Sequence, residues 1–298
     1  MSASSSWGRL VRGAVAAAIG AAATLSFAAA PSSAETTLER VKREGYIRVG
    51  FANEPPFGFA TATGTIAGEA PEIARAVLDR MGLGEVKMEG VVTEFGALIP
   101  GLLANRFDMI AAGMFVRPAR CEQIAFSEPS VGLGQAMMVA AGNPKNIHSY
   151  ADIAKNPDAK LVVISGGAEL DYAKASGIPE SQLVVLLDNP SGLAAVATGQ
   201  ADAFALSSIV IQNLINTAQN PAIERATPFS DPEVDGASVR GYGAFGFRKD
   251  DQDFVDAFNK ELASFIGSDA HKAIVEPYGF TAAELPGTVT TAELCGTK

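Results

Sequence analysis

Three short stretches hold residues able to recognise a charged small molecule. The first is Asn53-Glu54-Pro55-Pro56-Phe57-Gly58-Phe59, and the second is Thr93-Glu94-Phe95-Gly96. The third runs from Asp108 to Pro129, DMIAAGMFVRPARCEQIAFSEP, and contains Gly113, Phe115, Arg117 and Arg120. A guanidinium makes bidentate, charge-assisted bonds with a carboxylate. Phenyl faces attract a cation at about 0.5–2 kcal/mol each, and a carboxylate such as Glu54 accepts N–H bonds. Together these groups suit a small zwitterion. Other chemistries lack their residues. No nucleophile elbow, phosphate loop, zinc motif or dinucleotide fingerprint is present. The two histidines, His148 and His271, stand outside any metal-ligand spacing and read as surface residues. No metal and no cofactor is expected. A cleft offering one carboxylate, Glu54, and no histidine lacks an acid/base pair, so the chain reads as a binder and not an enzyme.

The elements that position these residues alternate between strand and helix. Thr37–Glu44 reads as a short helix and Tyr46–Phe51 as a strand with Ile47, Val49 and Phe51 on one face. A helix over 71–81 carries Ile73, Val77, Leu78 and Met81 on one stripe. A strand over 86–92, a helix over 97–105 and a buried strand from Phe107 ending at Gly113 follow. This βαβα order predicts a mainly parallel sheet covered by helices. The pattern restarts after Asn143-Pro144. Strands are expected at 161–164, 183–187 and 203–206, with helices at 168–176, 192–198 and 209–217. A strand over 243–247 and a long amphipathic helix over 252–266 come last. That helix needs a core, and the first unit supplies it. The expected architecture is therefore α/β and two-lobed. The chain crosses twice, near 137–140 and 243–247, with a ligand cleft between the lobes at the carboxyl ends of the strands.

At the N-terminus Arg9 and Arg12 precede an alanine-rich apolar run ending at Ser32-Ser33-Ala34. A basic start, an apolar middle and a small-residue end predict a secretory signal peptide over 1–34. No later apolar run is long enough to span a bilayer. The expected division is lobe 1 over 35–139 plus 244–285, lobe 2 over 140–243, and a tail over 286–298. The whole chain carries a net charge of −10, with its charges dispersed. That balance argues against nucleic acid and anionic membranes as partners. The two cysteines, Cys121 and Cys295, fit no zinc pattern. In an exported chain they form one disulfide or remain two free thiols.

The arginine followed by an IAFSEPS phrase after a buried strand resembles the polar amino-acid family (family 3) of ABC-transporter solute-binding proteins. The likeness runs from about Thr37 to Phe280 and includes the Gly166-Gly167-Ala168 turn and Gly199-Gln200-Ala201-Asp202-Ala203. It implies the two-lobed periplasmic-binding-protein fold with a two-strand hinge, a periplasmic location, permease subunits in the inner membrane as partners, and a monomer. It implies that Arg120 grips a ligand carboxylate and that Gly167 and Ala168 offer backbone N–H groups to an anion. The chain departs from amino-acid binders at four positions. Gly113 and Phe115 stand where those usually carry Ser or Thr, Ala168 where they carry Thr, and Ser207 where an aspartate anchors the α-ammonium. An arginine, a carboxylate and several phenyl rings without an ammonium anchor resemble the ectoine and hydroxyectoine binders of the family, through Glu54, Phe57, Phe95, Phe115, Arg120 and GTIAGEAPEIAR over 64–75.

The candidate ligand-binding residues are therefore Glu54, Phe57, Phe95, Gly113, Phe115, Arg120, Gly167, Ala168 and Ser207. Glu54 is alternatively a turn residue, Gly113 a backbone requirement, and Arg120 a partner of Glu122 or Asp108. Arg117 and Glu94 read as solvated, Asp202 as structural and Phe59 as core. The alternative functions are a polar amino-acid binder and a periplasmic dehydratase-like enzyme on the same fold. A quaternary ammonium cage favours Trp, and the single Trp is Trp7 in the leader.

Overall fold

The chain enters the fold at Thr36, whose side chain caps the helix α1 (Thr37–Glu44) in a reciprocal box with Glu39. The computed structural model describes residues 35–234 and 237–296; the predicted signal peptide lies outside the described residues. In chain order, β1 (Tyr46–Phe51), α2 (Glu69–Leu78), β2 (Lys87–Val92), α3 (Leu98–Leu103) and β3 (Met109–Phe115) come first. Then follow α4 (Pro118–Cys121), β4 (Ala125–Phe126), β5 (Val131–Leu133) and β6 (Gln135–Ala140). The middle of the chain forms α5 (Tyr150–Lys155), β7 (Leu161–Ile164), α6 (Glu169–Ala175), β8 (Leu183–Leu186) and α7 (Asn189–Ala197). It continues with β9 (Ala203–Ser207), α8 (Ser208–Ala218) and β10 (Ile223–Arg225). Last come β11 (Gly241–Phe247), α9 (Gln252–Phe265), α10 (Asp269–Val275) and α11 (Thr291–Cys295).

The strands form two main sheets, one for each lobe. The first has the order β2-β1-β3-β11-β4, with β5 also on β11; the second has the order β8-β7-β9-β6-β10. Each sheet is parallel at one end, with β1 beside β2 and β3, and β7 beside β8 and β9. Each turns antiparallel where a crossing strand joins, β11 on β3 and β6 on β9. The sheets are therefore mixed, whereas alternation of strand and helix predicts mainly parallel ones. Alternation reports the βαβ units but not the strands that return from the other lobe.

Those returning strands also correct the expected hinge. Residues 137–140 lie inside β6, wholly in the second sheet, and 243–247 lie inside β11, wholly in the first. The chain passes between sheets at Gly134 and again across 226–240. Asp231, in the second passage, accepts the Gln135 N–H at 2.6 Å and so ties it to the first passage.

Packing follows the apolar stripes. Phe254 and Phe258 of α9 stack on Phe247 and Phe245 of β11, with ring centroids 4.9–5.5 Å apart. A buried carboxylate, Asp108, precedes β3 and binds Arg40 and Arg48, each at 2.7 Å, with Arg248 at 3.8 Å. Asp108 is thus committed to its own cluster and is no partner for Arg120. Asp202 is likewise structural, accepting Lys145 Nζ at 2.8 Å and the Lys160 N–H at 2.7 Å. His271 is buried, contrary to the surface placement expected of it, because α10 turns its ring onto Phe265. Phe59 is half-buried against Tyr278.

Cys121 and Cys295 form a disulfide, with Cα atoms 5.8 Å apart, that fixes α11 beside α4. Thr291 adds bonds to Glu128 Oε2 at 2.9 Å and to the Ser127 carbonyl at 2.6 Å. The tail therefore braces the short helix that carries Arg120. The Cys295→Ser variant is expected to lose about 2–4 kcal/mol of unfolding free energy. Urea unfolding of both proteins, with thiol alkylation of the unreduced wild type, checks this. An unshifted midpoint, or two alkylatable thiols in the native protein, would contradict it.

Candidate functional site

Between the sheets lies a small cavity whose walls come from both lobes. The first lobe contributes Glu54, Phe57, Phe95, Ala112, Gly113, Phe115 and Arg120; the second contributes Ile164, Gly167, Ala168, Glu169, Leu206 and Ser207. Every candidate ligand-binding residue read from the sequence lines this one space. Its empty volume is about 430 Å³, part of it open to solvent.

The wall of the first lobe is built by close packing on glycine. Gly113 stands inside β3, not at its end, with φ +58°, and a Cβ there would come within 2.3 Å of the Phe57 ring. Phe57 can lie flat on the strand only because Gly113 has no side chain. Its other neighbour is Phe280, with centroids 5.5 Å apart. Phe115 packs on Gly241 in the same way: a Cβ at Gly241 would reach 2.1 Å from its ring. Phe57 and Phe115 thus line the cavity as held, nearly buried rings.

Arg120 sits on α4 and is only 8% exposed. Its Nη1 donates to the Phe115 carbonyl at 2.7 Å and its Nη2 to the Gly166 carbonyl at 2.8 Å. The first acceptor belongs to its own lobe and the second to the other. The guanidinium lies 5.5 Å from the Phe95 ring centroid. Phe95 therefore presents a face to Arg120, and the pair forms one wall. Among the described residues no carboxylate comes within 4.0 Å of the Arg120 guanidinium. Burial, with a smaller contribution from Arg117, pulls its pKa down to about 10.

Glu54 follows β1 in a turn closed by bridge pairing with Gly58. It is a turn residue and a cavity residue at once. Its Oε1 accepts from Asn189 Nδ2, at the start of α7, at 3.2 Å. Enclosure pushes its pKa up to about 7; the Asn189 bond opposes that shift, and Glu169 adds to it.

Glu169 was not among the candidates. It is a buried carboxyl at the first position of α6, and the cavity thus holds two carboxyl groups where the sequence offered one. With its amide oriented to donate, Gln135 gives N–H bonds to Glu169 Oε1 at 3.0 Å and to the Leu206 carbonyl at 3.3 Å. Burial raises the Glu169 pKa, and Arg120 and Arg117 act against the shift. A glutamate two residues past a glycine pair reads as helix-start acid; only its burial marks it. The Gly167 N–H is already committed to the Ile164 carbonyl at 2.9 Å. That turn therefore offers an anion less than the sequence implies. Ser207, at the end of β9, is buried with its neighbour Leu206.

Arg117 departs from its expected role as a solvated residue. It forms an ion pair with Asp171 across the cleft and lies over the Tyr172 ring at 5.6 Å. Glu94 is exposed, as read. Beside these contacts the backbones of the two lobes meet. A Cβ built on Gly166, where φ is +76°, would stand 2.6 Å from Gly96 Cα. Such an approach requires glycine at 166, while a Cβ at Gly96 would stand 3.0 Å from the Ser165 carbonyl oxygen.

The sequence over 47–281 matches the family model for bacterial extracellular solute-binding proteins, family 3. A probable amino-acid ABC transporter periplasmic-binding protein, y4tE of Sinorhizobium fredii, is 41% identical over 92% of this chain and 91% of that one. The crystal structure of EhuB in complex with hydroxyectoine superposes with a TM-score of 0.78 at 38% identity, covering 88% of this chain and 98% of EhuB. An ancestral amino acid-binding protein described as a precursor of cyclohexadienyl dehydratase, AncCDT-1, gives 0.69 at 26% identity, covering 82% and 99%. With its two lobes, the cavity between them and this match over most of its length, the chain belongs to the bacterial extracellular solute-binding proteins of family 3.

Proposed function

We propose that the protein captures ectoine or hydroxyectoine in the periplasm and delivers it to the permease of an ABC importer. The observation that carries this reading is the buried Arg120 guanidinium, unpaired with any carboxylate of the described residues, in a cavity that Glu54, Phe57 and Phe115 also line. A ligand carboxylate takes the free edge of Arg120. Glu54 accepts the N–H groups of an amidinium ring. The rings of Phe57 and Phe115 cover its apolar and cationic faces. The likeness to EhuB, at 38% identity, supports the same choice.

Capture works by closure. Asn189 on Glu54, Gly166 on Arg120, and Asp171 on Arg117 are bonds between lobes. A ligand bonded to Arg120 and Glu54 on one side and touching Gly167, Ala168 and Ser207 on the other favours this closed form. The lobes hinge at Gly134 and across 226–240, and the closed shape is what the permease reads. The protein acts as a monomer and leaves its ligand unchanged.

A second reading has its own support. Glu169 adds a carboxyl that could hold an α-ammonium although Ser207 cannot, so a small amino acid also fits, in keeping with the name of the relative from S. fredii. Two carboxyl groups also supply the acid/base elements that the sequence had placed at one. Prolonged incubation with each bound solute tests for turnover, with unchanged solute recovered if the protein is a binder.

Calorimetry with compatible solutes and the common amino acids is expected to give micromolar or tighter binding for ectoine or hydroxyectoine and weaker binding for every amino acid. The reverse order would establish the second reading. Arg120→Ala is expected to cost about 2–5 kcal/mol of binding, roughly 30- to 4,000-fold in affinity, with the folded state retained by circular dichroism. Near-wild-type affinity would place the carboxylate elsewhere. Gly166→Ala is expected to weaken binding about tenfold or more, about 1.4 kcal/mol, because its Cβ meets Gly96. It should also reduce the ligand-induced fall in radius of gyration by small-angle scattering. Unchanged closure in that variant would refute the backbone contact as a closing surface.

A further inference from the structure

Charge balance in the closed cavity points to Glu169. Arg120 contributes one positive charge, and Glu54 and Glu169 would contribute two negative ones if both were ionised. A zwitterion adds none. An enclosed cavity left with an uncompensated negative charge is strongly disfavoured, so one carboxyl must carry a proton. Glu54 faces the ligand's cation and already accepts from Asn189, which favours its ionised form. Glu169 lies in the wall shared with Arg120, where the ligand's carboxylate lodges, and an ionised Glu169 would repel it.

In the ligand-free protein the groups around Glu169 favour its ionised form, namely its own backbone N–H, Gln135, Arg120 and Arg117, so its proton arrives with the ligand's carboxylate. Arg117, from the first lobe, is committed to Asp171 on the same helix as Glu169. Gln135 of β6 holds Oε1 and leaves Oε2 beside Gly167, 2.8 Å from where a Cβ would stand. Tyr150 of α5 and Tyr172 of α6 are neutral phenols whose ionisation Glu169 opposes. Asp231, next along this network, accepts the Gln135 backbone N–H.

We propose that Glu169 is a ligand-contacting residue that is protonated in the closed complex and donates its O–H to the carboxylate held by Arg120, so that Glu169 takes up a proton with each solute bound. The carboxyl gains its proton from solvent and no other bond is made or broken. This rests on the assignment of the cleft to a small carboxylate-bearing zwitterion, and it makes the site reject solutes that cannot accept that bond. The sign follows from linkage: a group whose pKa rises on binding supports affinity fully below its free value and loses that support as pH climbs through the bound value. Burial acts in the same direction.

The test is calorimetry of the whole mature protein with ectoine, hydroxyectoine, proline and alanine. It is run in two buffers of different ionisation heat from about pH 5.5 to about pH 9, where affinity should fall by up to about tenfold per pH unit on the alkaline side. At neutral pH Glu169 should take up about one proton per solute, offset by about half a proton released by Glu54, which is half-protonated there and meets the ligand's cation. In Glu169→Gln the uptake should turn into release and the alkaline fall should vanish. Uptake with an amino acid but no ectoine binding would overturn the ectoine assignment and leave Glu169 in its role. Ectoine binding with no uptake in wild type, or a Gln variant that keeps the uptake, would overturn the role of Glu169 alone. Failure of every carboxylate solute to bind would overturn both.

Discussion

The site depends on one constraint: a guanidinium buried between two lobes must have its charge and its N–H groups satisfied. Arg120 meets part of that demand with the Phe115 carbonyl from its own lobe and the Gly166 carbonyl from the other. The remainder is left for an anion from outside. The same side chain is thus a structural bridge and an incomplete one. On the proposed reading, its completion by a ligand carboxylate is what favours closure. Phe95 stacked on it, the α4 helix beneath it and the Cys121–Cys295 bridge behind α4 all hold it in place.

The rest of the cleft follows from what surrounds that charge. Phe57 and Phe115 present their rings only because Gly113 and Gly241 lack side chains. The backbones of the two lobes approach at Gly96 and Gly166 for the same reason. Glu54 lines the same cavity and is itself held by Asn189. The charged groups that could have satisfied Arg120 are engaged elsewhere, Asp108 with three arginines and Asp171 with Arg117. Glu169 is the carboxyl left to act on Arg120, from beyond ion-pair distance.

Much of this was legible in the residues. The strand–helix alternation marked both lobes, and each candidate lay just after or near the end of a strand, where an open α/β sheet places its ligand. All of the candidates line the one cavity. What was not legible depends on long-range contact. Asn189 reaches Glu54 from 135 residues away, and nothing local marks either as the other's partner. Glu169 looked like an ordinary acid at a helix start until its burial was seen. Arg117 read as solvated because its partner, Asp171, is in the other lobe. The first crossing was misplaced by a few residues because β5 and β6 keep one apolar pattern and only Gly134 between them breaks it; the second lies in the connection before β11 and not within that strand.

The central claim is that Arg120 holds the carboxylate of a small zwitterion between the two lobes. A crystal structure of the mature protein grown with ectoine tests it most directly. The account predicts a closed cleft with the ligand carboxylate on the Arg120 guanidinium, the ring N–H groups toward Glu54, and Phe57 and Phe115 on the ring faces. A ligand whose carboxylate is bound away from Arg120, or a closed cleft that excludes ectoine at saturating concentration, would contradict it.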